Sequence, residues 1–163
     1  MAHTAYVGLG ANLGEPRATL NAALAALAAS PGVSACIASS FYRSAPVDAA
    51  GPDYVNAVAR LTTTLAPLAL LDVLQTLEHQ HGRLRPYRHA PRTLDLDLIL
   101  YDSLTLSHPR LTLPHPRAHE RAFVLVPLAE VAKEAGDGLP TLAGASVSAW
   151  LTRCADQRLQ RIL

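Results

Sequence analysis

Asp95 and Asp97 stand two residues apart in a run where leucine takes every second position, at 94, 96, 98 and 100. On a strand both carboxylates point to one face, separated by roughly 6–7 Å along it, and the leucines point to the other, into a core. At that distance the two charges repel by roughly 2 kcal/mol at an effective dielectric near 20. A divalent cation would offset this, and Mg²⁺ takes a few carboxylates together with water and phosphate oxygens. A solvated face can also carry such a pair with no ion, so the neighbouring residues decide.

Those neighbours are arginines. Arg83, Arg85, Arg88 and Arg92 crowd into residues 82–93, and no acid lies among them to pair with. Guanidinium forks match phosphate oxygens and stay charged. Carboxylates that hold metal beside a loop of arginines suit polyphosphate transfer: metal neutralises and orients the phosphates, and arginines stabilise charge moving to the leaving group. The chain has no GxxxxGK[ST] loop and no protein-kinase motifs. The glycines of GLGANLG, at 8, 10 and 14, are wrongly spaced for a dinucleotide fingerprint and read as a tight turn.

Two rival chemistries are weaker. A zinc hydrolase would need His79, His81 and His115 together, but residues two apart on a helix do not share a face. An RNA-binding module would need a basic surface and stacking aromatics, whereas the net charge is +1 and aromatics are 5%.

The elements that must position these groups follow from periodicity. Residues 5–9 form a short apolar strand. Pro16 suits a first helical turn, Leu20, Leu24 and Leu27 follow at helical spacing, and Pro31-Gly32 ends the run. A strand is predicted from Val33 to Arg43, then a loop to Pro52, then a strand from Tyr54 to Thr64. In that strand Tyr54, Asn56 and Val58 share one face and Val55, Ala57 and Ala59 the other. A second helix opens at Pro67, buries Leu68, Leu71, Leu74 and Leu77, and ends at Gly82. Next come a basic loop, a strand from Leu94 to Tyr101, and a turn-rich stretch with Pro109, Pro114 and Pro116. An apolar run from Phe123 to Leu128 and a short helix around Ser146 to Cys154 complete the chain. This order is the βαββαβ pattern of an α+β, ferredoxin-like sandwich with C-terminal additions. A doubly wound α/β sheet fits less well, because two strands follow one another without a helix between them.

The 163 residues, 50% of them hydrophobic, suit one domain spanning 1–163 with a core that needs no disulfide. Cys36 and Cys154 lack ligand-like spacing and read as small buried residues. No signal peptide and no membrane span is visible, so the expectation is a cytoplasmic protein with no nucleic-acid or membrane partner.

The segment APRTLDLDLILY at residues 90–101 resembles the signature of the 6-hydroxymethyl-7,8-dihydropterin pyrophosphokinases. YVGLGANLG, SSFYRSAPV, PDYVNAV and RLTLPHPRAHERAFVLVPLAE extend the resemblance over nearly the whole chain, in order. It departs at His89-Ala90, where the family often has Trp-Gly, at Pro86, where a basic residue is common, and at Pro116, often Tyr.

The resemblance implies transfer of the β,γ-diphosphate of ATP to the pterin hydroxymethyl oxygen, with AMP released, by a monomer. It implies that Asp95 and Asp97 hold two Mg²⁺ ions on the ATP phosphates, and that Arg83, Arg92 and Asp97 are catalytic. It places Gln75, Glu78, Arg85, Arg92, Arg110, Thr112, His115 and Arg121 around the nucleotide. On the pterin side it places Ser44, Ala45, Val47, Tyr54, Asn56, Asp95 and Phe123. Asn56 can both donate to and accept from an amide-like edge, and Phe123 and Tyr54 can stack on a flat heterocycle.

Overall fold

The computed structural model describes residues 1–45, 52–82 and 94–162. The alternating run at the N-terminus becomes the inner strand β1, His3–Ala11. Its Ala5, Val7, Leu9 and Ala11 are buried on one face, and Tyr6 lies in a separate core on the other. Helix α1, Pro16–Ala29, follows after a turn at Gly14, whose φ is +66°. Gly8 and Gly10 do not form that turn, contrary to the expectation. They sit inside β1 with strands paired on both sides.

The expected long strand after α1 is two strands: β2, Val33–Ala38, and β3, Phe41–Ser44. Both pair with β4, Tyr54–Thr63, β2 against its second half and β3 against its first. The break at Ser39-Ser40 is satisfied by side chains. Ser39 Oγ accepts the Val58 N–H at 3.0 Å, and the Ser40 N–H donates to Glu130 at 2.7 Å. Helix α2, Pro67–Gly82, leads towards β5, Asp95–Tyr101. A hairpin of β6, Leu106–His108, and β7, Leu111–Leu113, occupies the stretch that reads as turns in sequence. Helix α3, Ala122–Glu134, contains the apolar run. The two-residue strands β8 (Thr141–Leu142) and β9 (Ala145–Ser146) lead into α4, Val147–Arg153, capped by Ser146 Oγ on the Ala149 N–H, and β10, Gln160–Ile162, closes the outer edge of β3.

The main sheet is antiparallel throughout, in the order β10-β3-β4-β1-β5, with β2 also on β4. The result is a mixed α and β architecture in three layers. Leu20 and Leu27 of α1 and Leu70, Leu74 and Leu77 of α2 bury one sheet face with Val7, Leu61, Leu96 and Leu98. On the other face Leu125, Leu128 and Val131 of α3 and Val147 of α4 cover Tyr6, Val58, Ile99 and Leu100. The C-terminal elements therefore shield only one end of the second face. The end that carries Gly8, Gly10, Tyr54, Asn56, Asp95 and Asp97 opens on a cavity.

The leucine alternation in β5 does not run to its end. The register with β1 shifts between Tyr6 and Val7, so that Leu98 faces Val7 while Leu100 faces Tyr6. This bulge puts Leu100 with Ile99 in the core under α3 and turns Tyr101 to the α1–α2 side. Leu94, Leu96 and Leu98 point as expected and Leu100 does not.

Candidate active site

Two cavities meet at one carboxylate. The first, about 180 Å³, is lined by Gly8, Gly10, Tyr54, Asn56, Asp95 and Phe123 among others. The second, about 330 Å³, lies between α2, the start of β5 and the β6–β7 hairpin, and is lined by Gln75, Glu78, Arg110, Thr112 and His115 among others. Asp97 lines both.

The first cavity has a floor of sheet. Gly10 lies opposite Asn56 on β4 and opposite Asp95 on β5, and Gly8 lies opposite Asp97. A Cβ at Gly10 would stand 3.2 Å from Asn56 Nδ2, and one at Gly8 would stand 3.1 Å from Ile99 Cδ1. Glycine keeps the floor low and the strand backbone accessible from above. Asn56 and Ser44 are buried, and the Ser44 hydroxyl donates to Asn56 Oδ1 at 2.6 Å. Burial first, and then the charge of Asp95, push the Tyr54 hydroxyl pKa up, which keeps it a neutral donor. Phe123 stands at the first turn of α3, and the Arg121 guanidinium lies 5.5 Å from its ring centroid. That turn is pinned by Gln157, which accepts the Ala122 N–H at 2.9 Å and donates to the Glu120 carbonyl at 2.8 Å.

In the second cavity the buried Glu78 carboxylate accepts the Leu96 N–H at 2.9 Å. Arg110 donates to Asp72 at 2.5 Å and to Gln75 at 3.1 Å, an exposed pairing. His115 is set by two backbone contacts: its N–H donates to the Ile99 carbonyl at the β5 bulge, and its Nδ1 accepts the Arg117 N–H at 3.1 Å. With Nδ1 an acceptor, the neutral ring carries its proton on Nε2. Burial lowers the His115 pKa, Arg121 and Arg117 add to this, and together they outweigh the nearby charge of Asp97.

The residues expected at the pterin therefore gather at the first cavity: Ser44, Ala45, Tyr54, Asn56, Asp95 and Phe123. Gln75, Glu78, Arg110, Thr112 and His115 gather at the second. Arg121, expected at the nucleotide, stands with Phe123 at the start of α3 and lines the first cavity, which adjoins the second at Asp97. Val47, Arg83, Arg85 and Arg92 lie outside the described residues. Gly8, Gly10 and Gln157 are additions. A Gly-x-Gly pair at strand spacing inside an otherwise apolar run was the available sign for the first two.

Asp95 and Asp97 project from one face of β5, and Asp97 is exposed. Among the described residues no group of three or more His, Cys, Asp or Glu gathers to hold a metal ion. Hard carboxylate oxygens with room for phosphate and water fit Mg²⁺, which rarely takes an all-protein cage. His79 and His81 are exposed on α2, and His115, the third histidine of the zinc reading, lines the second cavity without them. Among the described residues no helix is long and apolar enough to cross a membrane.

The model of the 7,8-dihydro-6-hydroxymethylpterin-pyrophosphokinase (HPPK) family matches residues 6–133. The 2-amino-4-hydroxy-6-hydroxymethyldihydropteridine pyrophosphokinase of Haemophilus influenzae is 48% identical over 132 residues, covering 80% of this chain and 82% of that protein. The enzyme of the same name from Pseudomonas aeruginosa is 46% identical over 150 residues, covering 89% and 93%. Among solved structures, Plasmodium falciparum HPPK-DHPS with pteroate superposes with a TM-score of 0.70 at 11% identity, over 94% of this chain and 42% of that one. That last likeness speaks for the fold alone.

Proposed function

This chain belongs to the 7,8-dihydro-6-hydroxymethylpterin-pyrophosphokinase family, and from that premise we infer how its two cavities share one reaction. The chain transfers the diphosphate of ATP to 6-hydroxymethyl-7,8-dihydropterin in folate biosynthesis, and it works with a divalent metal. The observation that carries the assignment of roles is the place of Asp97, on the wall common to both cavities.

In this reading the first cavity takes the pterin. Asn56 meets its amide-like edge, Phe123 and Tyr54 bracket its ring, Ser44 and Ala45 lie at its rim, and Val47 is assigned to the pterin by the family likeness alone. The hydroxymethyl group then points towards Asp97. The second cavity takes ATP, with Gln75, Glu78, Arg110 and Thr112 around the nucleotide and the His115 Nε2–H turned to phosphate. Asp95 and Asp97 would hold two Mg²⁺ ions, whose charge would neutralise the phosphates. Arg83, Arg85 and Arg92 serve the same phosphates, and Arg121 adds charge from the pterin side.

The hydroxymethyl oxygen attacks the β-phosphorus in line. The new O–P bond forms as the bond from the β-phosphorus to the bridging oxygen breaks, and AMP leaves with that electron pair. In this reading Asp97 takes the hydroxyl proton, supported by its share in both cavities. Positioning and electrostatics carry the rest, as such transfers ask little covalent chemistry of the protein.

The proposal also takes the chain as a single pyrophosphokinase domain over 1–163, a cytoplasmic monomer of ferredoxin-like topology that acts on small molecules, not on nucleic acid or membrane. The antiparallel β2/β3-β4-β1-β5 order and a net charge of +1 support it. Product analysis tests the chemistry. With ATP, Mg²⁺ and the hydroxymethyl-dihydropterin, AMP should appear in step with the pterin diphosphate; ADP would mean single-phosphoryl transfer and overturn the assignment.

A further inference from the structure

We infer that Ser44, through its side chain, is a positioning residue that sets which end of the Asn56 amide meets the acceptor substrate. This rests on the reading of the first cavity as the pterin site. The strand order places three relevant residues on one line across the sheet. Asn56 on β4 has Tyr42 of β3 opposite it on one side and Gly10 of β1 opposite it on the other, and Gly10 in turn faces Asp95 of β5. The amide spans from β3 to β1, with Ser44, which pairs opposite Tyr54, one position pair off this line. Its Oδ1 is turned to β3, where the Ser44 hydroxyl donates to it at 2.6 Å. Its Nδ2 is turned to β1, where it is the nearest atom a Cβ on Gly10 would meet, at 3.2 Å.

Asn56 is only 5% exposed, so its amide depends on a few partners. Among the described residues the only buried side-chain polar atom lacking a hydrogen bond is Asn12 Oδ1. Asn56 Nδ2 is therefore not sealed off, and among the described residues it meets no acceptor, so it opens on the cavity that Asn56 lines. Asp95 lines the same cavity beyond Gly10, and its negative charge favours the amino end of the amide on that side. A serine hydroxyl alone could donate or accept. With the amino end turned to β1, Ser44 donates, the carbonyl is satisfied, and the amide plane is fixed.

A fixed amide has a consequence for specificity. The cavity presents an N–H donor, with one carbonyl lone pair left beside it. A ring edge with an oxo oxygen next to a ring N–H matches that pair. A ring edge with an amino group in place of the oxo oxygen sets donor against donor. A site built to hydrogen-bond one edge rejects its mismatch far more strongly than an apolar pocket can.

The test compares wild type, Ser44→Ala and Ser44→Thr, all first shown to be folded by thermal melts. Ser44→Ala should raise KM for the pterin about tenfold, the size of one lost hydrogen bond, while KM for ATP stays within about twofold. Ser44→Thr, which keeps the hydroxyl, should restore it. The decisive readout is the inhibition constant of the 4-amino analogue, 2,4-diamino-6-hydroxymethylpteridine, relative to the 4-oxo ligand. That ratio should narrow at least about fivefold in Ser44→Ala, because the freed amide can rotate. An unchanged KM for the pterin, or a raised KM with an unchanged ratio, overturns the positioning role. Asn56→Ala separates the two levels. If it weakens pterin binding while Ser44→Ala does not, only the role of Ser44 fails. If neither variant affects the pterin, the cavity assignment fails with it.

Discussion

Glu78 on α2 accepts, through its buried carboxylate, the backbone N–H of Leu96, the residue between Asp95 and Asp97. The helix that walls the second cavity thus holds the strand that carries both aspartates. Glu78→Ala leaves the Leu96 N–H unpaired in a buried place, which costs about 1–3 kcal/mol. Urea unfolding should show that loss as a lower midpoint, together with a higher KM for ATP. An unchanged midpoint with a raised KM would make Glu78 a ligand of the nucleotide only.

Among the described residues Asp97 alone lines both cavities, and its substitution should strike chemistry and not folding. It is exposed on β5, so Asp97→Asn should leave the melting temperature within about 2 °C, as exposed changes are worth under about 0.5 kcal/mol. Turnover should fall by roughly 100-fold or more, the scale of losing one electrostatic contact to the transition state. The Mg²⁺ concentration for half-maximal rate should rise. Rates of AMP release across a Mg²⁺ titration check this, and full turnover at the wild-type Mg²⁺ dependence would remove both roles from Asp97.

The floor of the first cavity gives a third expectation. Gly10→Ala sets a methyl 3.2 Å from Asn56 Nδ2 and 3.8 Å from Tyr54 Cδ1. Crowding of this kind costs about 1–3 kcal/mol, and here it falls on the amide and ring that meet the pterin. Titration of the variant with pterin and with ATP, each alone, should show affinity for pterin falling about tenfold or more and affinity for ATP unchanged. Equal losses for both ligands would mean a general disturbance of β1.

The same floor marks the boundary of what could be read in the sequence. The faces of β4 and the outward pair Asp95/Asp97 follow from a period of two, so Tyr54, Asn56 and the aspartates were legible. Gly8 and Gly10 were not: glycine serves both a turn and a close approach, and only pairing on both sides of β1 decides between them. The bulge at Ile99 leaves no trace in an unbroken apolar run, so the turn of Leu100 towards α3 could not be foreseen. The break at Ser39-Ser40 depends on Glu130, some ninety residues away.

That distant carboxylate supplies the last prediction. Glu130 accepts from the Tyr42 hydroxyl at 2.5 Å and from the Ser40 N–H and hydroxyl at 2.7 and 2.9 Å. Burial works to raise its pKa, but these hydrogen bonds and the charge of Arg161 outweigh it and hold the carboxyl below the ordinary glutamate range. Burial first, and then the bond to Glu130, push the Tyr42 hydroxyl up to about 12. A depressed carboxylate stabilises the fold above its unfolded pKa, near 4.3, and that share is lost as pH falls through the folded value. A raised phenol stabilises the fold below its unfolded pKa, near 10, and that share is lost between about 10 and 12. The pair therefore contributes fully from about pH 5 to 10 and weakens on both flanks. Tyr42→Phe removes the titrating phenol and one donor to Glu130, so stability should fall more shallowly with pH above 10, and also below 5. Tyr6, likewise raised by burial and by its bond to Asp137, keeps part of the alkaline slope in the variant. Denaturant midpoints taken across this pH range measure both flanks, and an alkaline slope in Tyr42→Phe equal to that of the wild type would show that the pair does not titrate as a unit.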